Sequence, residues 1–275
     1  MFEFFEVLKD QTFLQNAVIA GLLASVACGV MGTYVVVRRI VFISGGISHA
    51  VLGGMGIAYY YSYNPLHGAV IASLIAALVI GFVSLRYHQY EDTIIGAIWS
   101  IGMAIGILFI YKTPGYNVDL MSYLFGNILM VGTQRLQIMG FLDIIIVVSV
   151  ILLYKRFLAV CFDEEYSQLQ GIGVLGTYLL LLCLIALTVV ILIQVVGLIL
   201  VIALLTLPAA TSRHYTSSLG QMMILASILG AVFTTSGLIV SYGLDLPAGA
   251  TIIVIAGIVY LLATSLKGLV ARFHI

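Results

Sequence analysis

Long apolar runs, broken at a few polar points, organise this chain. A helix needs about 20 residues to cross roughly 30 Å of hydrocarbon, and runs of that length recur throughout. Residues 11–37 contain no Asp, Glu, Lys or Arg. Residues 40–85 are equally free of charge but too long for one crossing, and Asn64-Pro65 near the middle supplies the turn. Residues 93–111 predict a fourth span, and about 136–154 a fifth that contains Asp143. The run 166–212 again exceeds one helix, and a split near Gln194 predicts spans at about 174–193 and 195–211. With 214–244 and 246–266 the pattern gives nine spans, or eight if 166–212 holds a re-entrant segment.

Continuous runs exclude a β-barrel, whose lipid-facing strands alternate polar and apolar residues. Composition agrees: 63% of the 275 residues are hydrophobic and 8% are charged, whereas a soluble domain carries about 25% charged residues. A soluble enzyme is excluded, and a formal net charge of zero excludes a nucleic-acid binder. The expected fold is all-α, a polytopic transmembrane bundle with residues 1–275 as a single domain. The start, MFEFFEVLKD, lacks the basic region of a cleaved signal peptide, so the first apolar run is expected to stay in the protein. Cys28, Cys161 and Cys183 have no disulfide or metal-ligand spacing and read as packing residues.

Charge sets an orientation. With the N-terminus outside, Arg38, Arg39, Arg86, Lys155, Arg156, Arg213, Lys267 and Arg272 fall on the cytoplasmic side, leaving Lys9, Lys112 and Arg135 outside. An odd number of spans then puts the C-terminus inside. Among the 28 glycines, Gly102-x-x-x-Gly106 has the spacing that lets two membrane helices approach closely. No GxxxxGK[ST] phosphate-binding loop occurs, so any ATP-driven movement needs a motor on another chain.

Ionisable groups at membrane depth are costly and are functional suspects by default. His49 lies ten residues past Arg39, roughly 15 Å along a helix. Small residues surround it in Ser44-Gly45-Gly46-Ile47-Ser48-His49-Ala50, leaving room for an ion path lined by Ser44, Gly45 and Ser48. The residues alone leave two readings open: a buried neutral histidine bonded to a neighbouring helix, or a transition-metal ligand that adds no charge to the membrane. Asp143, about 12 Å beyond Arg135 along its helix, is a neutral or hydrogen-bonded acid, or a second pathway residue. Asp119 and Asp245, at outer boundaries, are solvated caps or contacts for an outer partner. His67 and His88 fall in loops, His214 reads as an interfacial anchor and Trp99 as packing. The inner loop of about 156–173 predicts a short amphipathic helix ended by Gly171, either a plain connection or a docking surface.

Four segments carry a resemblance. They are Ser48-His49-Ala50 with Leu52-Gly53-Gly54, then Val118-Asp119-Leu120-Met121-Ser122-Tyr123-Leu124-Phe125-Gly126. Leu205-Thr206-Leu207-Pro208-Ala209-Ala210-Thr211 and Asp245-Leu246-Pro247-Ala248-Gly249 follow. In this order they resemble the membrane permeases of metal-ion ABC importers, the zinc, manganese and iron uptake family. The resemblance implies a type II-like importer permease in a prokaryotic plasma membrane, and import of a divalent metal with no permanently bound cofactor. It also implies a dimer docked on two ABC ATPase subunits and fed by an extracytoplasmic metal-binding protein. The permease itself would not be an enzyme. Gln168, Gly171 and Gly173 would then belong to the ATPase-coupling segment, and His49 matches the family's pathway histidine. The family usually carries an aspartate four residues before that histidine; this chain has Gly45. Loss of that carboxylate is expected to favour zinc over manganese, which prefers oxygen ligands.

Two rivals make different demands. An ion-gradient-coupled carrier needs intramembrane carboxylates, for which Asp143 is the one good candidate. An intramembrane Ser/His enzyme, for instance through Ser236, lacks a histidine within reach, since His214 stands at the far end of the same span.

Overall fold

The computed structural model describes residues 2–87, 91–113, 126–198 and 201–273, although the side chains of residues 2–5, 91, 194, 196 and 268–273 are not described. The elements are helices α1 (Phe2–Asp10), α2 (Thr12–Arg38), α3 (Val41–Tyr60), α4 (Pro65–Arg86), α5 (Glu91–Lys112), α6 (Thr133–Phe162), α7 (Glu164–Leu169), α8 (Val174–Val196), α9 (Val201–Ser212), α10 (Leu219–Leu244) and α11 (Ala248–Phe273). A 3-10 turn covers Ile128–Met130. Among the described residues, eight helices are long and apolar enough to cross a bilayer.

The chain turns at Asn64-Pro65 as expected. Asn64 caps α4 by accepting from the Leu66 N–H at 3.0 Å, with Pro65 in the first turn, and Ser218 caps α10 by accepting from Gln221 N–H. Within the bundle, hydroxyls bond back to their own helix, as Ser25 does to Gly21 O, Thr33 to Gly29 O and Thr188 to Leu184 O. That leaves few polar groups facing lipid, where no water can satisfy them.

Close contacts fix the direction of each helix. Positions 29, 25 and 21 of α2 meet 227, 230 and 234 of α10, so these two run antiparallel. Positions 46, 53 and 56 of α3 meet 95, 102 and 106 of α5, so these two run parallel, and α4 packs antiparallel on α3 through Gly68 against Gly54 and Ile80 against Gly46. The Arg38 guanidinium at the end of α2 lies over the Tyr178 ring in the first turns of α8. Lys267 of α11 donates to His214 O at 2.9 Å. Arg38, Arg39, Arg86, Lys155, Arg156, Arg213 and Lys267 therefore share one end of the bundle. The 3-10 turn reaches Gly21 near the other end, so α8 leads away from the arginine-rich end. The helices α2, α3 and α8 are largely buried, whereas α5, α6 and α11 form the rim.

Of the nine or eight spans that the sequence leaves open, the structure gives eight long helices and a shorter ninth among the described residues. The region read as 195–211 contains α9, a 12-residue helix about 18 Å long, which is half a crossing. Gly197, with φ of 77°, ends α8 in a conformation that side-chain-bearing residues rarely adopt. Leu205 of α9 lies against Gly32, and Ala209 packs with Val36 and Val37. Thus α9 runs parallel to the inner half of α2 and returns to the arginine-rich end. The described chain begins at one end of the bundle and finishes at the other, as an odd number of crossings requires. A broken helix at this depth is tolerated because it is enclosed by protein, and Leu198, Val201, Leu204 and Leu205 are all fully buried.

Candidate functional site

The α3–α5 pair builds the site, and glycines set its register. A Cβ on Gly102 would lie 2.6 Å from Ala50 Cα, and one on Gly106 would lie 2.6 Å from Leu52 O. No side chain fits at either position, so the two backbones run in contact along the face next to His49. This close approach brings Trp99, one turn before Gly102, over the imidazole. The two rings are stacked with centroids 4.1 Å apart and planes 14° from parallel.

His49 is 8% exposed, and its buried Nδ1 has no hydrogen-bond partner. An imidazole nitrogen left unbonded in an apolar interior loses its hydration without compensation, so it is an available ligand position. A Cβ on Gly45, one turn earlier, would meet Ile202 Cδ1 at 3.0 Å and Trp99 Cζ3 at 3.1 Å. The half-buried Trp99 and the start of α9 thus close around the side of α3 where a longer residue 45 would project. Ser44 and Ser48 are buried in the same helix, and their hydroxyls donate to Val41 O and Ser44 O, each at 2.7 Å. Among the described residues no three His, Cys, Asp or Glu side chains converge to hold a metal. One chain therefore offers an arriving ion a single imidazole and backbone or hydroxyl oxygens.

A cavity of about 690 Å³ opens between α3, α4 and α5, bordered by Ala50, Gly53, Gly54, Ile71 and Ile98. Its lining is almost wholly apolar, with Tyr61, Tyr63 and His67 its few polar side chains, so it is a poor place for a bare cation.

Asp143 is not brought to this site. It lies in α6, which packs on α2 and α8, and its carboxyl sits near the Cys28 thiol. It is 5% exposed and neither oxygen has a partner. Asp245 caps α10 in the left-handed region, with φ of 53°, at the end opposite the arginines, and is exposed. Asp119, like the rest of 118–125, lies outside the described residues, as does His88. His67 is exposed in the first turn of α4, and His214 contacts Thr264 Oγ1 at 3.1 Å near the arginine-rich end.

The short inner helix forms as α7. Asp163 caps it by accepting from Tyr166 N–H at 2.8 Å, and Gly171, with φ of 73°, ends the turn that follows. Gln168, Gly171 and Gly173 are exposed, and so are Tyr166 and Leu169. Two residues were undervalued from sequence. Trp99 is the stacking partner of His49 as well as packing. Arg38, read only as a marker of the inner face, contacts α6, α7 and α8 at once. Its position directly before a helix break was the available signal.

Comparison with known proteins follows the same lines. An uncharacterized membrane protein of Synechocystis is 50% identical over 255 residues, 93% of this chain and 91% of that one. The manganese transport system membrane protein MntC of Halalkalibacterium halodurans is 36% identical over 260 residues, 94% of this chain and 89% of that one. Among solved structures, PsaBC from Streptococcus pneumoniae in complex with Fab superposes with a TM-score of 0.86 at 32% identity, covering 95% of this chain and 94% of that one. The sequence profile described as the ABC 3 transport family matches residues 10–267. With that match over nearly its whole length, the chain belongs to the ABC 3 transport family and is a non-catalytic membrane permease of an ABC transport system.

Proposed function

We propose that this permease imports a divalent first-row transition metal and that His49 is its ligand on the path. The observation that carries this reading is a buried imidazole with an unbonded nitrogen, held against a ring in a family permease. A bare divalent ion in a low-dielectric interior is strongly disfavoured, so each step of a path must supply ligands or water. One imidazole is insufficient. A second copy of the chain would bring a second His49 towards a shared axis, with water and backbone oxygen completing the shell, and so the working unit is a homodimer. Arg38, Arg86, Arg156 and Arg213 face the cytoplasm, where α7 meets the ATPase through Gln168, Leu169, Gly171 and Gly173. Asp119 and Asp245 face the extracytoplasmic metal-binding protein. Family membership leaves the gradient-coupled carrier unsupported, and Asp143, the carboxylate it would need, lies on α6, which packs on α2 and α8 and not on the α3–α5 pair that holds His49.

The ion is zinc on chemical grounds. Gly45 offers no carboxylate, and zinc accepts nitrogen ligands more readily than manganese does. The name of the H. halodurans relative favours the second reading, manganese. Reconstitution with the ATPase and the binding protein tests both readings. ATP-dependent zinc uptake should exceed manganese uptake, and His49→Ala should abolish it. A clear manganese preference would replace zinc by manganese. Uptake that is unchanged in His49→Ala would remove the histidine from the path.

A further inference from the structure

One guanidinium joins three helix ends to the hinge that leads into α3. Arg38 is the last residue of α2. Its Nη1 donates to Val160 O at 2.9 Å and approaches Cys161 O at 3.4 Å. These are among the last carbonyls of α6, which have no partner within their helix and carry its negative dipole end. Its Nη2 pairs with Glu164, the first residue of α7. Its Cζ lies 5.1 Å from the centre of the Tyr178 ring in α8. The side chain is only 16% exposed, so these contacts are shielded from bulk solvent.

On its other side Arg38 leads straight into a break. Arg39 is left-handed, with φ of 62°, and Ile40 N–H donates back to Val35 O at 3.0 Å. Helix α3 begins at Val41, and His49 lies about 12 Å along it. Two residues therefore separate the Arg38 contacts from the helix that bears the imidazole. Helix α7 faces outward with Tyr166 54% and Leu169 86% exposed, so a partner pressing on it moves the Glu164 end of this tie.

We infer that Arg38 is the positioning residue that passes displacement of α7 to the α2–α3 hinge, and through it to His49. This rests on the reading of α7 as the ATPase contact and of His49 as a pathway ligand. The geometry requires arginine, whose planar fork reaches carbonyl and carboxylate together while its face lies on the ring; lysine satisfies one of these at a time.

The test uses the full chain assembled with its ATPase in lipid vesicles, with binding protein supplied. Metal imported per ATP hydrolysed is measured for wild type, Arg38→Gln, Arg38→Lys and Glu164→Gln. Arg38→Gln should keep the ATPase bound and hydrolysing while the ratio falls about tenfold, the upper part of the range for substitutions along a coupling path. Arg38→Lys should fall between, and Glu164→Gln should lose less because the carbonyl and ring contacts remain. An unchanged ratio in Arg38→Gln overturns the inference, and so does loss of the ATPase from that complex, which would make Arg38 a structural cap alone. Glu164→Gln alters only a partly exposed side chain, and an unchanged ratio there also overturns it. His49→Ala probes the pathway separately: full uptake in that variant beside an uncoupled Arg38→Gln would refute the pathway reading and leave the tie standing.

Discussion

Two buried ionisable groups, His49 and Asp143, look alike in sequence and differ in surroundings. Both lie in apolar helices, both are more than nine-tenths buried, and both have polar atoms without partners. Asp143 sits between α6 and α2 beside Cys28, with Met139 and Ile146 fully buried on the same face. His49 sits on a helix whose neighbours are glycine and serine, covered on one side by the half-buried Trp99. Burial alone therefore does not mark a path. What separates the two is the close run of small residues around His49 and the half-buried ring stacked on it.

The sharpest break between them comes from deleting the groups in turn. His49→Ala should abolish ATP-dependent uptake. Gly102→Leu should come next, because its side chain would have to enter the α5–α3 backbone contact; overpacking of this kind costs about 1–3 kcal/mol, and a lowered thermal midpoint of the purified complex would show it. Trp99→Ala should reduce uptake about tenfold by freeing the ring it orients, in line with losses on removing groups that position a ligand. That loss should appear as a raised KM for metal in a complex of normal stability. Asp143→Asn, which keeps the shape and removes the ionisable group, should leave uptake and metal preference unchanged. A loss in Asp143→Asn as deep as that in His49→Ala would erase the distinction.

Much of this was legible in the chain. Eight long helices follow from long apolar runs, and the breaks at Asn64-Pro65 and Gly171 follow from their turn chemistry. The choice between nine and eight full spans was not legible, because hydropathy does not register the positive φ of Gly197, which ends α8 and leaves α9 a short helix. His49 stood out since few ionisable residues occur at that depth. The stack with Trp99 was hidden, because it depends on the register that Gly102 and Gly106 impose on α5 against α3. The role of Arg38 was hidden for a related reason: its contacts come from residues 122 to 140 positions further along the chain, at Val160, Glu164 and Tyr178.

Thiol accessibility measures the contrast most directly. In a chain whose three native cysteines are replaced by alanine, His49→Cys and Asp143→Cys are each exposed to a membrane-impermeant thiol reagent, with and without ATP in the assembled transporter. The account predicts that the cysteine at 49 is labelled at a rate that changes with nucleotide state, while the one at 143 stays unlabelled throughout. Equal protection of both positions in every state would contradict a path through His49.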